Sequence, residues 1–567
     1  MTVLIFAAAC APRGQAPQPV APAQGMTGGG TPALSREQTA DQQVAHALNR
    51  LAFGPRPGDE ARVRAMGVDR WIDEQLHPER IDDARTEEFL RSSYHMIGEP
   101  PAELEQRYPP PGQIVAARGR GNAGAARDGL SAVDSARLKE SAAALRQLTA
   151  EVQSSRVARA VLSDRQLQEV VTDFWLNHFT VYDAKGPRER YLLAEYADRV
   201  IRPNALGKFR TLLGAVAKSD AMLFYLDNWE SRADSTRPHL MPPAGRGGRG
   251  GRGGLNENYG RELLELHTLG VDGGYTQADV IDAARALTGW TFKGAQQGGG
   301  FQFVAAWHDA GEKHILGHTL EAGRGLQDGE DLLDIVAQHP STAKFIAFKL
   351  ARRFVSDAPP AALVSRAAAV FTSTHGDIRE VVRTIVTSPE FFARAAYRSK
   401  VKSPFEVVVS TVRALGGQGD ATPRTAAAVA QLGQPIFGHQ APNGWPETGD
   451  EWMNTGAILN RINFGMLVAS GRLPGVSPMG IPGSDSLPRA PVDQQVDGVV
   501  RAILGGDASP ETRAVLLSGE NPLAKRPAAD AGAAGTQGAR GQGQLPQPRG
   551  FPLIVGLALG SPEFQRR

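Results

Sequence analysis

Asn256 to Trp290, NENYGRELLELHTLGVDGGYTQADVIDAARALTGW, is the stretch whose reading decides the fold. Its periodicity predicts a helix from Asn256 to Leu269. Asn258, Arg261, Glu262 and Glu265 share one face of it, because residues three and four apart are helical neighbours. Leu263, Leu264 and Leu266 spread over the other sides and predict a helix covered on most of its surface. Gly270, Gly273 and Gly274 end it, since glycine takes the left-handed conformation of helix stops. Thr276 and Asp279 have capping-box spacing, with Asp where Glu or Gln is usual. Val280, Ala283, Ala284 and Leu287 then form a narrow apolar stripe whose alanines permit close contact, and the two helices predict an αα-hairpin. Two carboxylates and an arginine on one face read as an ion-pair network or as a site. The network needs only Arg261 on Glu265, four residues on, and Asn258 on Glu262.

Working outward, 567 residues suffice for one large or two ordinary domains. Apolar content of 41% and charged content of 22% are globular values. A formal net charge of +2 argues neither for a nucleic-acid partner nor for an acidic one, and no nucleic acid is expected. No apolar run approaches the length of a spanning helix. Arg-Gly-Gly repeats in 244–254 can bind RNA in other settings; here they read as a flexible insert. At the N-terminus, apolar Val3 to Ala9 leads to Cys10, the only cysteine, and then to a Pro/Gly/Ala/Gln tract. This resembles a bacterial lipoprotein signal, with 1–9 as signal, Cys10 lipidated and 10–36 as disordered tether. Ala7 stands where leucine is usual, and no basic residue precedes the run; a start codon placed too late would explain the missing basic residues. A single cysteine rules out an internal disulfide framework.

Helical spacing dominates from Ser35 to Leu90, broken at Gly54–Gly58, with His46 and Arg50 on one face. Prolines and glycines in Glu99–Leu130 predict a loop or lid. A helical run from Ser135 to Tyr182 ends in Phe174, Trp175, Asn177, His178 and Phe179, and Tyr191–Asp227 predicts two helices split at 202–207. FQFVAAWHDAGEKHILG predicts a β-hairpin: Phe301, Phe303 and Ala305 on one face, a turn at 309–312 and a return through Ile315, with His308 and Asp309 at the tip. Ser-Pro-Glu-Phe occurs at 388–391 and 561–564 and predicts one device used twice, a Ser-Pro break followed by a helix start. Gln434–Trp452 predicts a loop in which Asn443-Gly444-Trp445-Pro446 turns tightly to present an aromatic ring. A low-complexity linker, 527–550, precedes a terminal helix, 551–567, that docks on the 37–526 domain. The fold class is mainly α: a multihelical globular domain with one small β-hairpin and Gly/Pro-rich inserts at about 99–130 and 244–254.

Taken in order, HALNRLAFGPRPGD, FWLNHFTV, the 256–290 stretch, HDAGEKHILG, APNGWP and GSPEFQRR resemble the large bacterial family called domain of unknown function 1800. The likeness covers His46 to Arg567. It implies an exported protein, often encoded beside an exported family with a sulfatase- or phosphatase-like fold, hence a partner or shared substrate. It supplies no catalytic residues to carry over.

The residues themselves suggest two classes of function. His178, Glu262, Glu265, His267, His308 and Asp309 have the side chains of a metal or acid/base site. Glu262-x-x-Glu265-x-His267 matches neither the di-iron Glu-x-x-His nor His-Glu-x-x-His, so metal and cofactor stay open. An enzyme would use Glu262 or Glu265 as general base, Arg261 to orient an anionic group, and His178 nearby. Asn177, Asn258, His267, His308, Asp309, Asn443 and Trp445 are the binding candidates. The other class is a helical envelope scaffold or binding module, held to the membrane through Cys10, in which the same polar residues form buried networks. Convergence of several motifs on an open cavity, or burial with every group satisfied, separates the two.

Overall fold

The computed structural model describes residues 35–121, 131–234, 236–238, 240, 254–520 and 548–567. Cys10, the signal, the tether up to 34, and nearly all of the Gly-rich insert and the 527–550 linker lie outside the described residues. Twenty-three α-helices and two two-stranded antiparallel sheets make up the described chain, so the core is built from helix faces. Residues 36–567 cluster as one unit. No described helix is long and apolar enough to cross a membrane.

At the centre is the helix Gln166–His178, with Leu167, Val170, Val171, Phe174 and Trp175 all buried. Trp175 donates its indole N–H to Ala205 O (3.0 Å), which satisfies the polar edge of a ring otherwise wholly in the core. Pro404–Ala414 is buried throughout its length. Proline at its first position suits the fixed φ of a helix start, and Ser403 with Glu406 closes a complete capping box. Pro340–Phe354 turns Ile346, Leu350 and Phe354 inward and packs on Ala361–Ser373. Phe551–Leu559 lies against Thr455–Ala469 through facing glycines; a Cβ on Gly465 would meet Gly556 O at 2.5 Å. Residues 565–567 run on beside 400–402, with Lys402 N–H on Gln565 O (2.9 Å) and Arg567 N–H on Lys400 O (2.8 Å).

The stretch 256–290 keeps its hairpin of helices and its Thr276–Asp279 capping box. Gly260 seats the first helix on the second, where a Cβ would meet Ala284 N at 2.8 Å and Val280 O at 2.9 Å. The first helix is not uniform, however. After Glu257–Glu262 it widens into a π-helix, Leu263–Thr268, with Leu269 N–H on Leu264 O (2.9 Å). A π turn adds a residue and rotates everything that follows, so the predicted common face is lost.

Other expectations are corrected locally. The expected lid at 99–130 contains the helices Pro101–Arg107 and Pro111–Gly121, while 122–130 lies outside the described residues. Tyr191–Asp227 holds Glu189–Glu195, a π segment Tyr196–Ile201, Phe209–Ala217 and Asp220–Tyr225, the last break made by Ser219 as N-cap. β structure does fall in 290–320, but Phe301 and Ile315 are not partners. Strand β1 (Trp290–Phe292) pairs with β2 (Phe301–Phe303), and β3 (Lys313–Ile315) with β4 (His318–Leu320). In both Ser-Pro-Glu-Phe copies the serine hydroxyl accepts from the Phe N–H, at Phe391 (3.1 Å) and Phe564 (3.4 Å). The device is a capped turn rather than a helix start.

Candidate functional site

The polar face predicted around Glu262 is dispersed. Arg261 reaches back to Glu257 (3.6 Å) and across to Gln277 (2.9 Å), not forward to Glu265, because the π turn has moved Glu265 round the helix. Glu265 instead accepts from the Tyr275 hydroxyl (3.1 Å), and the Asn258 amide donates to Leu226 O (3.4 Å), not to Glu262. Burial first, and then Glu265, raise the carboxyl of Glu262, with Arg261 opposing them.

His178 and His267 sit back to back in the core. His178 Nε2 donates to His267 O (3.0 Å), and neither Nδ1 has a hydrogen-bond partner. Desolvation, with the charge of Lys349 nearby, lowers His178 well below its ordinary value and takes His267 down to about 3. His46, ringed by Phe391, Phe392 and Tyr397, is lowered in the same way by burial and then by Arg50.

These shifts set a pH dependence. Between the folded and unfolded pKa only the unfolded histidine binds the proton, so stability is complete above about 6.5 and falls as pH drops below it. Each such histidine removes about 1.4 kcal/mol between roughly pH 7.5 and 5.5. Glu189, buried and raised, acts in the opposite sense over that range, so one histidine is best read by difference. A His267→Asn variant, whatever its absolute stability, should show a denaturation free energy less dependent on pH by that amount. An unchanged pH slope would mean that the charged ring finds a partner.

His308 and Asp309 do not crown an exposed tip; both are buried. His308 Nδ1 faces Thr288 O (2.8 Å) and Nε2 faces Asp328 (3.1 Å). Asp328 also takes Lys313 Nζ (2.6 Å), while Arg285 grips Asp309 through two nitrogens (2.8 and 3.1 Å). Arginine lies on the 277–286 helix and Asp328 on the 326–338 helix, so this network rivets both helices to the turn between them. Among the described residues no three His, Cys, Asp or Glu come together to hold a metal.

An open cleft lies elsewhere, with room of about 90 Å³, and of the sequence candidates only Asn177 and Trp445 line it. The Asn177 side chain holds the 443–446 turn by both ends of its amide: Nδ2 donates to Trp445 O (2.9 Å) and Oδ1 accepts from Trp445 N–H (2.7 Å). Gly444 makes the approach possible. Its φ is +73°, and a Cβ there would meet Asn177 O at 2.3 Å. The Trp445 ring packs on His439 (4.7 Å between centroids) and Trp452 (6.0 Å), and Asn443 Oδ1 holds the His439 ring (3.0 Å).

Charged residues that the sequence reading passed over form the floor. Asp173 lies between Arg156 (3.2 Å) and Arg353 (3.4 Å), and Arg353 reaches on to Glu406 (3.0 Å). Glu406 also takes Arg567 (3.1 Å) and Ser403 N–H (2.9 Å). Burial alone would raise its carboxyl; Arg567 and Arg353 outweigh that and hold it at about 2. Glu406 could have been found from its Ser-Pro-Phe-Glu capping box, and Asp173 from its place just before Phe174-Trp175. Nothing local marks Arg156 or Arg353.

No curated protein and no solved structure matches the chain. The family described as "Protein of unknown function (DUF1800)" matches residues 46–566, nearly the whole length, and it is to this family that the chain belongs.

Proposed function

We propose that the chain is an exported, lipid-anchored cell-envelope protein that acts as a helical binding module, with the cleft under the Asn-Gly-Trp-Pro turn as its ligand site. The observation that carries this reading is convergence. Segments at 156, 173–177, 353, 403–406 and 445–447, far apart in sequence, meet at one open cavity, whereas His308 and Asp309 sit in a buried network. The anchor at Cys10 and a sulfatase- or phosphatase-like exported partner rest on the sequence resemblances. An enzyme centred on Glu262 and Glu265 is the competing reading, supported by the raised carboxyl of Glu262.

A panel of small polar and aromatic compounds, screened by shift in melting temperature against the wild-type chain and Asn177→Ala, tests the proposal. Freeing the turn should abolish any hit and cost the fold about 1–3 kcal/mol, since two part-buried main-chain groups at Trp445 lose their partner. Hits that survive in Asn177→Ala, or no hit at all, would remove the cleft from consideration. Turnover lost specifically in Glu262→Gln would favour the enzyme. Labelled palmitate that enters the wild type and not Cys10→Ser would support the anchor, and no incorporation would reject it.

A further inference from the structure

Charge decides what the cleft can take, and the charge beneath it is out of balance. Arg156 and Arg353 share Asp173; Arg353 and Arg567 share Glu406; Lys349 holds Glu447 (3.1 Å) and Lys400 holds Asp357. Of these, Arg156, Arg353, Asp173, Glu406 and Glu447 line the cleft, while Lys349, Lys400, Arg567 and Asp357 lie behind it, five cations on four carboxylates in all. Among the described residues, three more buried cations have only neutral oxygens as hydrogen-bond partners. Arg50 donates to Ala396 O (2.6 Å) and Ser399 Oγ (2.9 Å), Lys402 to Ser410 Oγ (3.1 Å), and Arg461 to Gln565 Oε1 (2.7 Å) and Lys402 O (2.8 Å). All three lie within electrostatic reach of Glu406.

A buried cation without a counter-charge is among the costliest groups a fold can hold. The cost is visible in the lysines. Desolvation first, and Arg567 among the neighbouring cations, bring Lys400 down to about 8; desolvation, with Arg398, Arg567 and Arg461, brings Lys402 to about 7. Unfilled donors point the same way. Nε of Arg156 and of Arg353, and both Nε and Nη1 of Arg50, have no hydrogen-bond partner among the described residues. Gln434 spends its Oε1 on Phe405 N–H (2.9 Å) and keeps its NH₂ to offer. Phe174, Phe405, Phe437, Trp445 and Trp452 give the wall its aromatic part, beside the aliphatic Leu176, Val401 and Ile436.

We propose that the cleft binds a small organic anion, a carboxylate or phosphate group carried on a ring-sized apolar body, with the anionic group beside Arg156 and Arg353 and the body against Phe405, Phe437 and Trp445. This rests on reading the cleft as a binding site and adds the class of ligand. A guanidinium already shared with Asp173 has donors to spare for a second acceptor, and charge-assisted bonds are about twice as strong as neutral ones. Aromatic walls exclude water around that contact and raise its worth.

Four probes on one ring separate charge from shape: benzoate, phenyl phosphate, benzyl alcohol and benzylamine, each titrated into the full chain and read by melting temperature and indole emission. The two anions should bind saturably, roughly ten- to a hundredfold more tightly than the alcohol, with no response to the amine. Arg156→Gln should weaken benzoate about tenfold or more. Trp445→Phe should keep the melting response and lose the emission change. Equal binding of benzyl alcohol and benzoate overturns the proposal and leaves the binding module standing. No saturable response to either anion up to roughly 10 mM also overturns it. In that case the wider panel with Asn177→Ala shows whether the binding reading falls too. Should Arg156→Gln fail to fold, the order of the four probes on the wild type still decides.

Discussion

Replacing Asp328 by alanine should destabilise the protein by about 3–5 kcal/mol, because it strips from a fully buried lysine its only carboxylate partner among the described residues. Lys313 would keep two main-chain oxygens, of Asp309 (2.7 Å) and Gly311 (2.8 Å), but no negative charge. His308 would lose the acceptor at Nε2 as well. The electrostatics of Asp328 agree: burial would raise its carboxyl, and the bonds from His308 and Lys313 more than reverse this. The measurement is urea denaturation at fixed pH. A second variant tests the cause: Asp328→Ala with Lys313→Met removes the stranded charge and should recover a large part of the loss. A loss under about 1 kcal/mol in the single variant would mean that Lys313 sheds its proton or reaches water.

Glu406→Ala should be about as severe, again about 3–5 kcal/mol, for a different reason. Here the carboxylate is the shared counter-ion of Arg353 and Arg567, and it also caps its own helix through Ser403 N–H. Glu406→Gln keeps an oxygen for the cap and loses only the charge, so it should fall between the wild type and alanine. Its pH profile is diagnostic. A carboxyl held at about 2 contributes fully above its ordinary value near 4.5 and is lost as pH falls toward 2. In Glu406→Gln the stability between pH 5 and 3 should decline less steeply than in the wild type. Equal slopes would show that the charge at 406 does not stabilise the cleft floor.

Legibility followed the range of the forces involved. The Thr276–Asp279 capping box and the αα-hairpin were readable because their partners are three or four residues apart. The mainly α architecture was readable because apolar spacing is local as well. What failed was register and long-range pairing. A π turn leaves no periodic trace, so Glu265 was placed beside Arg261 when it lies beside Tyr275. Asp309 reads as a functional residue at a hairpin tip, because the arginine that pairs with it in the interior stands 24 positions earlier. At the cleft, Asn177 and Trp445 were singled out as unusual residues, but their mutual bond spans 268 positions. Arg156 and Arg353 look like any charges on a helix until another element covers them.

The short segment 392–402 gathers both distant ends of the described chain. Glu37 and Gln38 N–H both reach Phe392 O (3.2 Å each), Arg50 reaches Ala396 O, and the main chain of 565–567 lies along 400–402. Loops of well over a hundred residues must close before either contact forms, and such closures slow folding more than they lower stability. Helix hairpins such as 256–290 can therefore form early, while the segment that joins the ends waits for the rest. Until it is filled, Arg50 and Lys400 remain in water, where their charge costs nothing. Burial of the charges behind the cleft is thus tied to closure of the two long loops that meet at 392–402.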